Sequence, residues 1–281
     1  MEEVGSPVGE LLTSLETRLR SEQRLLVAYS GGVDSALVAA VAAQVLGHRA
    51  VAVTAVSPSL PRSERAAARE FARGRGIAHV EVCTDEMDRS SYTANSGDRC
   101  FHCKSALFDA IAPLVALADA RVALGTNADD LGDHRPGQRA AATRGAIAPL
   151  LDVGFGKAEV RRVSATLGLS TAAKPAAACL ASRVAYGEPV SAELLGRIER
   201  AEEAVRVLGF PVCRVRSHGT GAVARVEVPS DDVLRAAGLR AELDAEVRAV
   251  GFAFCALDLQ GFRSGRMNVL LAESATTPGT R

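Results

Sequence analysis

The sequence predicts an α/β protein: a doubly wound, mainly parallel sheet, followed by a second, smaller α+β domain. Three observations carry this prediction. Short apolar runs alternate with helical patterns through the N-terminal part of the chain, as in folds built from strand–helix–strand units. The first run stops at a Ser-Gly-Gly loop that leads directly into an alanine-rich helix. Past Val190 the order changes to helix, strand, strand, helix, strand, a compact unit of another kind.

Taken in order, RLLVAY (residues 24–29) is a short apolar run and reads as a buried strand. ALVAAVAAQVLG is a helix that stops at Gly47. RAVAVTAV (49–56) is a second strand, SERAAAREFARGRG a second helix with Ser63 as its cap, and IAHVEVCT a third strand. SALFDAIAPLVALA reads as a helix that Pro113 kinks or breaks, and RVALGT (121–126) as a fourth strand. Residues 129–156 are rich in Gly, Arg, Pro and Asp and read as an irregular active-site loop. KAEVRRVSATLG is helical, and KPAAACLASRVAYGEPV is a segment of low regularity.

SAELLGRIERAEEAVRVLG is an amphipathic helix, and VCRVRSHG and AVARVEVP are strands joined by His218-Gly219-Thr220-Gly221. One helix follows, with Ser230 as its cap and two Asp in its first turn, and FAFCALDLQG is the last strand. The expected domains are 1–189 and 190–272, with a disordered tail at 273–281.

The 281 residues are 48% hydrophobic, enough for one large core or two moderate ones. No apolar run is expected to reach membrane-spanning length, and the acidic N-terminus lacks the regions of a signal peptide, so a cytoplasmic protein is expected. Lys+Arg and Asp+Glu both total 33. A protein that grips a long nucleic acid carries a basic excess, so this balance favours a small-molecule substrate, with neither nucleic acid nor membrane as partner. In a reducing compartment the six cysteines form no disulfide framework. Cys83, Cys213 and Cys255 lie in strand-like runs and read as small buried hydrophobes.

SGGVDS carries the chemistry. Gly31 and Gly32 let the backbone approach an anion, and the helix that opens at Val33 offers unpaired N–H groups and a positive dipole end to phosphate. Ser30 and Ser35 add hydroxyl donors. Asp34 faces phosphate only across a Mg²⁺ or points elsewhere. The Lys of the Walker pattern is missing, so this is not an ordinary kinase or GTPase loop. The hexapeptide resembles the signature of the PP-loop ATP-pyrophosphatase superfamily, whose fold is adenine nucleotide alpha hydrolase-like. Those enzymes release pyrophosphate and leave AMP on a carboxylate or carbonyl oxygen. GTNADD strengthens the resemblance, since a similar motif follows a later strand in that superfamily and faces the nucleotide. The resemblance implies ATP binding by Ala28, Ser30, Gly31, Gly32, Val33, Asp34, Ser35, Gly125, Thr126, Asn127 and Asp129. Mg²⁺ is needed to balance the triphosphate.

RCFHCK places Cys100 and Cys103 in a lone CxxC. It reads as a redox pair, half a zinc site, part of an iron–sulfur site, or unlinked thiols, with Cys179 as the natural third ligand. AACLASRVAYGEPV then narrows the family. With RVRSHG, GFRSG and the motifs above, it resembles the ATP-dependent sacrificial sulfur transferases of the LarE family over most of the chain. That resemblance implies adenylation of a carboxylate of pyridinium-3,5-biscarboxylic acid mononucleotide and its conversion to a thiocarboxylate. Cys179 matches the cysteine whose sulfur is given up. Because all three cysteines are present, a 4Fe-4S cluster on Cys100, Cys103 and Cys179 is the favoured version. Arg214 and Arg216 alternate onto one strand face, and by resemblance bind the substrate phosphate. The competing reading pairs them with Glu199, Glu202 or Glu227 on a solvated face. Arg183 can lower the Cys179 thiol pKa by proximity, and Glu227 matches a family active-site acid of unassigned role. A homo-oligomer, such as a hexamer, is implied by the family. The alternatives are a tRNA thiolase, an amidating synthase of the NAD or GMP type, and a non-catalytic nucleotide sensor.

Overall fold

The computed structural model describes residues 7–132, 143–175 and 178–263. The chain divides into two compact units, Met1–Asp85 with Cys100–Ala177, and Glu86–Arg99 with Ala178–Arg281.

In the first unit, α1 (Pro7–Arg20), β1 (Leu25–Ala28), α2 (Val33–Leu46), β2 (Ala50–Val56), α3 (Arg62–Gly74), β3 (His79–Cys83), α4 (Arg99–Ala118), β4 (Arg121–Ala123) and α5 (Lys157–Thr166) follow one another. The strands form a wholly parallel sheet in the order β3-β2-β1-β4. Successive strand residues point to opposite faces. Leu25, Val27 and Tyr29 therefore join a core with Leu37, Val41, Phe71 and Val160 from α2, α3 and α5. Leu26 turns the other way, to Leu107, Phe108 and Ile111 of α4. Helix α2 is apolar all round because it is buried on nearly every side. The strand order reverses between β1 and β4, and open sheets of this kind take ligands at such a switch point, beyond the carboxyl ends of the strands.

In the second unit, α6 (Ala192–Val207), β5 (Arg214–His218), β6 (Val223–Glu227), α7 (Val233–Gly238), α8 (Arg240–Ala249) and β7 (Phe254–Leu257) surround a smaller sheet. Its order is β5-β6-β7, with β5 antiparallel and β7 parallel to β6.

Several expectations change. The units part after Ala177 instead of residue 189, and the second takes in Glu86–Arg99. The reason is a strap of hydrogen bonds. Asn95 Nδ2 donates to the Ala185 and Glu188 carbonyls at 2.7 and 3.0 Å, and Val190 N–H donates to Thr93 O at 2.8 Å. The CLASR segment thereby belongs to the C-terminal unit.

Helix α3 starts at Arg62 behind Pro61, so Ser63 is inside the first turn and is not its cap. Helix α4 runs through Pro113 and begins at Arg99, so the CxxC is helical. By length and composition α4 could cross a membrane, contrary to expectation, but its apolar side packs on the sheet. Ser230 opens a short 3-10 turn behind Pro229, and the expected single helix is broken at Leu239. Cys213 is buried as expected, but Cys83 is exposed and Cys255 half-buried. The expected tail at 273–281, and the end of the GFRSG motif, lie outside the described residues.

Candidate active site

The loop after β1 is braced by its own serines. Ser30 and Ser35 hydroxyls lie 3.1 Å apart, Ser35 Oγ accepts from Ser30 N–H at 3.2 Å, and it donates to Gly32 O at 3.2 Å. Both hydroxyls thus shape the loop from which backbone N–H groups point. Gly31 has φ +76°, a conformation that favours glycine. Gly32 has φ −77° and ψ 162°, open to any residue, and a Cβ there would meet only Ser30 Oγ, at 3.5 Å. The fold by itself therefore leaves room for a Cβ at this position. No side chain caps the N-terminus of α2 among the described residues, which leaves its first-turn donors to an anion.

The second loop follows β4, the strand hydrogen-bonded to β1. A Cβ on Gly125 would lie 2.6 Å from the Ser35 nitrogen and 2.9 Å from the Asp34 carbonyl carbon, so only glycine lets the two loops meet. Asn127, fully buried, donates from Nδ2 to Asp34 Oδ1 at 2.9 Å. That bond fixes the carboxylate at the mouth of the loop. Ala28 ends β1, and Val33, Thr126 and Gly125 are half-buried beside it. Asp129 is used elsewhere in the same unit: its Oδ2 accepts from Lys157 N–H at 2.7 Å, at the start of α5.

Sequence reasoning passed over Lys174 and Arg99. Lys174 Nζ donates to Gly31 O at 2.9 Å and to Glu64 at 2.6 Å. Arg99 is buried and donates to Ala181 O at 2.9 Å, within the CLASR segment of the second unit. Gly31 and Glu64 are remote from Lys174 in sequence, and Ala181 from Arg99, so no local pattern announces these bonds.

In the second unit Cys179 is half-buried and precedes a 3-10 turn, Leu180–Arg183. Arg183 is buried, pairs with Glu202 at 2.9 Å, and donates to the Cys179 carbonyl at 2.9 Å. Its guanidinium thus braces the backbone around Cys179 against Glu202. Arg216 and Glu227 form a buried pair at 3.0 Å, and Arg225 reaches Glu227 at 2.9 Å. Arg216 also donates to Ser182 O at 3.0 Å. Arg214 differs: it makes no ion pair among the described residues, lies 5.0 Å from the Phe262 ring centre, and donates to Cys213 O at 2.7 Å. Burial, then the like charges of Arg183 and Arg216, push its pKa below the ordinary value. An incoming anion would relieve that electrostatic load.

The metal readings meet the structure unevenly. Cys100 and Cys103 lie in the first turn of α4, in the first unit, and Cys179 belongs to the second. Among the described residues no group of three His, Cys, Asp or Glu is assembled to hold a metal. A 4Fe-4S cluster on the trio is therefore not shown. Mg²⁺ fits better, because it is usually held by one or two carboxylates and the substrate phosphates. Asp34 supplies a carboxylate, and the adjacent Asn127 Oδ1 is buried without a partner among the described residues.

A Gly-Gly loop without a Walker lysine, opening an uncapped helix at the switch point of a parallel sheet, defines a PP-loop ATP-pyrophosphatase. The asparagine synthase family model matches residues 9–94. Over 263 residues the chain is 33% identical to the pyridinium-3,5-bisthiocarboxylic acid mononucleotide synthase of Lactiplantibacillus plantarum, spanning 93% of this chain and 95% of that one. It is 46% identical over 254 residues to an uncharacterised protein of Synechocystis sp., spanning 89% and 94% of the two chains. An uncharacterised protein of Methanocaldococcus jannaschii is 25% identical over 256 residues, spanning 91% and 96%. The chain belongs to the LarE family, and it is an ATP-dependent enzyme of the sulfur-transferase type.

Proposed function

We propose that this enzyme adenylates a carboxylate of pyridinium-3,5-biscarboxylic acid mononucleotide and converts it to a thiocarboxylate, a step of nickel-pincer nucleotide cofactor synthesis. The relative from Lactiplantibacillus plantarum supports the substrate class by its name and by similarity over nearly the whole of both chains. The structural observation that carries the reading is Arg214. It offers a half-buried guanidinium that makes no ion pair among the described residues. Such a group suits the phosphate of a phosphorylated acid.

The acceptor carboxylate oxygen attacks the α-phosphorus, the bond to the β-phosphate breaks, and pyrophosphate leaves. The loop N–H groups hold the phosphates, and Asp34, kept in place by Asn127, is available to a bridging Mg²⁺. Sulfur then attacks the acyl carbon and AMP departs with the C–O electron pair. Cys179 is the sulfur carrier in this reading. Loss of its Cα proton and cleavage of Cβ–S leave dehydroalanine. The RCFHCK pattern supports a cluster version in which Cys100 and Cys103 join Cys179.

The test is pyrophosphate release with each candidate acceptor, with mass spectrometry of the product. The expected result is release that depends on pyridinium-3,5-biscarboxylic acid mononucleotide, with a product heavier by the exchange of oxygen for sulfur. Release that depends on tRNA or ammonia instead would replace this reading with a thiolase or an amidating synthase.

A further inference from the structure

The Gly31–Gly32 peptide is the most easily flipped in the phosphate loop, because neither flanking residue has a Cβ to hinder rotation. A flip would aim a carbonyl oxygen at the triphosphate where a donor is required. The structure supplies a restraint. The Gly31 carbonyl accepts from Lys174 Nζ at 2.9 Å. The bond is trans, so the N–H of Gly32 points to the opposite side of the peptide plane. There its partner is Ser30 Oγ at 3.4 Å, a long contact that a phosphate oxygen can displace.

Lys174 is itself held from several directions, all within the first unit. Its ammonium pairs with Glu64 of α3 at 2.6 Å, and both side chains are largely covered. Its backbone N–H donates to Thr171 O at 3.0 Å. Arg161 of α5 donates to the carbonyls of Ala172 and Lys174 at 2.7 and 3.0 Å. Two helices therefore aim one ammonium at one carbonyl.

We infer that Lys174 is a positioning residue for the triphosphate: it holds the Gly31 carbonyl away from the anion so that the Gly32 N–H faces it, and Glu64 keeps the ammonium there. The inference rests on the ATP loop alone and not on the acceptor or the sulfur source. It assigns to a lysine remote in sequence an indirect share of what a Walker lysine does by contact.

The experiment is titration of the full chain with MgATP, with inorganic pyrophosphate, and with adenosine followed by saturation-transfer NMR. Lys174→Met should weaken MgATP and pyrophosphate about tenfold or more, the loss of one charge-assisted bond, while adenosine stays within about twofold. Lys174→Arg keeps a donor for Gly31 and a partner for Glu64, and should restore most of the affinity. Glu64→Gln should weaken MgATP by a smaller factor. Melting curves of each variant without ligand separate loop repair from unfolding. Equal losses for adenosine and ATP, or unchanged pyrophosphate binding in Lys174→Met, would overturn the inference. Tighter ATP binding by Glu64→Gln would also overturn it, because the lysine would then be leaving Gly31 for the phosphate. Wild-type protein that binds no ATP would sink the loop assignment and this inference with it.

Discussion

Asn127, at the end of the second loop, donates its side-chain amide to the carboxylate of Asp34 in the first, across 2.9 Å and 93 residues of chain. It ties the loops of two neighbouring strands into one site. Asn127→Asp would set two carboxylates against each other. We expect ATP-dependent pyrophosphate release to fall by about tenfold to a hundredfold, the range for losing a charge-assisted hydrogen bond. Full activity would show that Asp34 needs no such restraint.

The three loop glycines should separate by mechanism. Gly125→Ala collides with the backbone of Asp34 and Ser35, and Gly31→Ala is strained at φ +76°. Each should cost about 1–3 kcal/mol and several degrees of melting temperature. Gly32→Ala meets no protein atom closer than 3.5 Å, so its melting should barely move while ATP binding is lost. Gly32→Val should abolish pyrophosphate release. Normal ATP affinity in either Gly32 variant would refute close approach at that residue.

Arg214 and Arg216 should diverge, although they share a strand face. Arg216→Met leaves a buried Glu227 with Arg225 as its one remaining ion-pair partner among the described residues, and should destabilise the fold by on the order of 3 kcal/mol. Arg214→Met removes no ion pair among the described residues. Its stability should change little while the acceptor KM rises and ATP binding is kept. Unchanged kinetics in Arg214→Met would remove the phosphate role.

His218 gives the second unit an acid-sensitive joint. Its Nε2 accepts from Arg225 at 3.2 Å, so the ring is neutral. Burial first, and then the Arg225 charge, hold its pKa below the ordinary 6.5. The unfolded chain therefore binds the proton more readily. The stability this adds is present above about pH 6.5 and is lost as pH falls through the lower folded value. Melting temperatures between about pH 5 and 8 should drop on the acid side, and His218→Gln should flatten part of that drop. His79, also lowered by burial, supplies a further part. An acid limb unchanged in His218→Gln would rule this residue out.

The cysteines decide the sulfur source. If Cys179 alone is spent, turnover stops at one and the chain loses the mass of hydrogen sulfide. If all three cysteines serve a cluster, anaerobic protein should carry iron and sulfide, and turn over repeatedly with added sulfide. Cys100→Ser with Cys103→Ser should then abolish multiple turnover. Full activity of that double variant, with dehydroalanine at residue 179, would refute the cluster. Full activity of Cys179→Ser would end both versions.

The first strand, the Gly-Gly loop and the helix behind it were legible because each is local. An apolar run, glycines where backbone must approach an anion, and an alanine-rich helix follow one another directly at residues 24–47. The alternation of strands and helices likewise announced a parallel sheet, and the change of pattern past Val190 announced a second unit. The periodicity misled where a neighbouring proline set the boundary. Pro61 and Pro229 begin their turns ahead of the serines read as caps, and the solvent-facing Pro113 leaves its helix intact.

By itself the sequence determined the alternation of strands and helices from β1 to β4, though not helix α1, that an anion-binding loop opens α2, and which cysteines and arginines are available for chemistry. Only the tertiary structure decided that β1 and β4 are neighbours, and so that Asp34 meets Asn127. It alone gave Lys174 to Gly31, Arg216 to Glu227, and the CLASR segment to the strap at residues 86–99. The reason is physical. Propensity and periodicity act over one or two turns of chain, whereas these pairs form between residues brought together by strand order and packing, which no local pattern records.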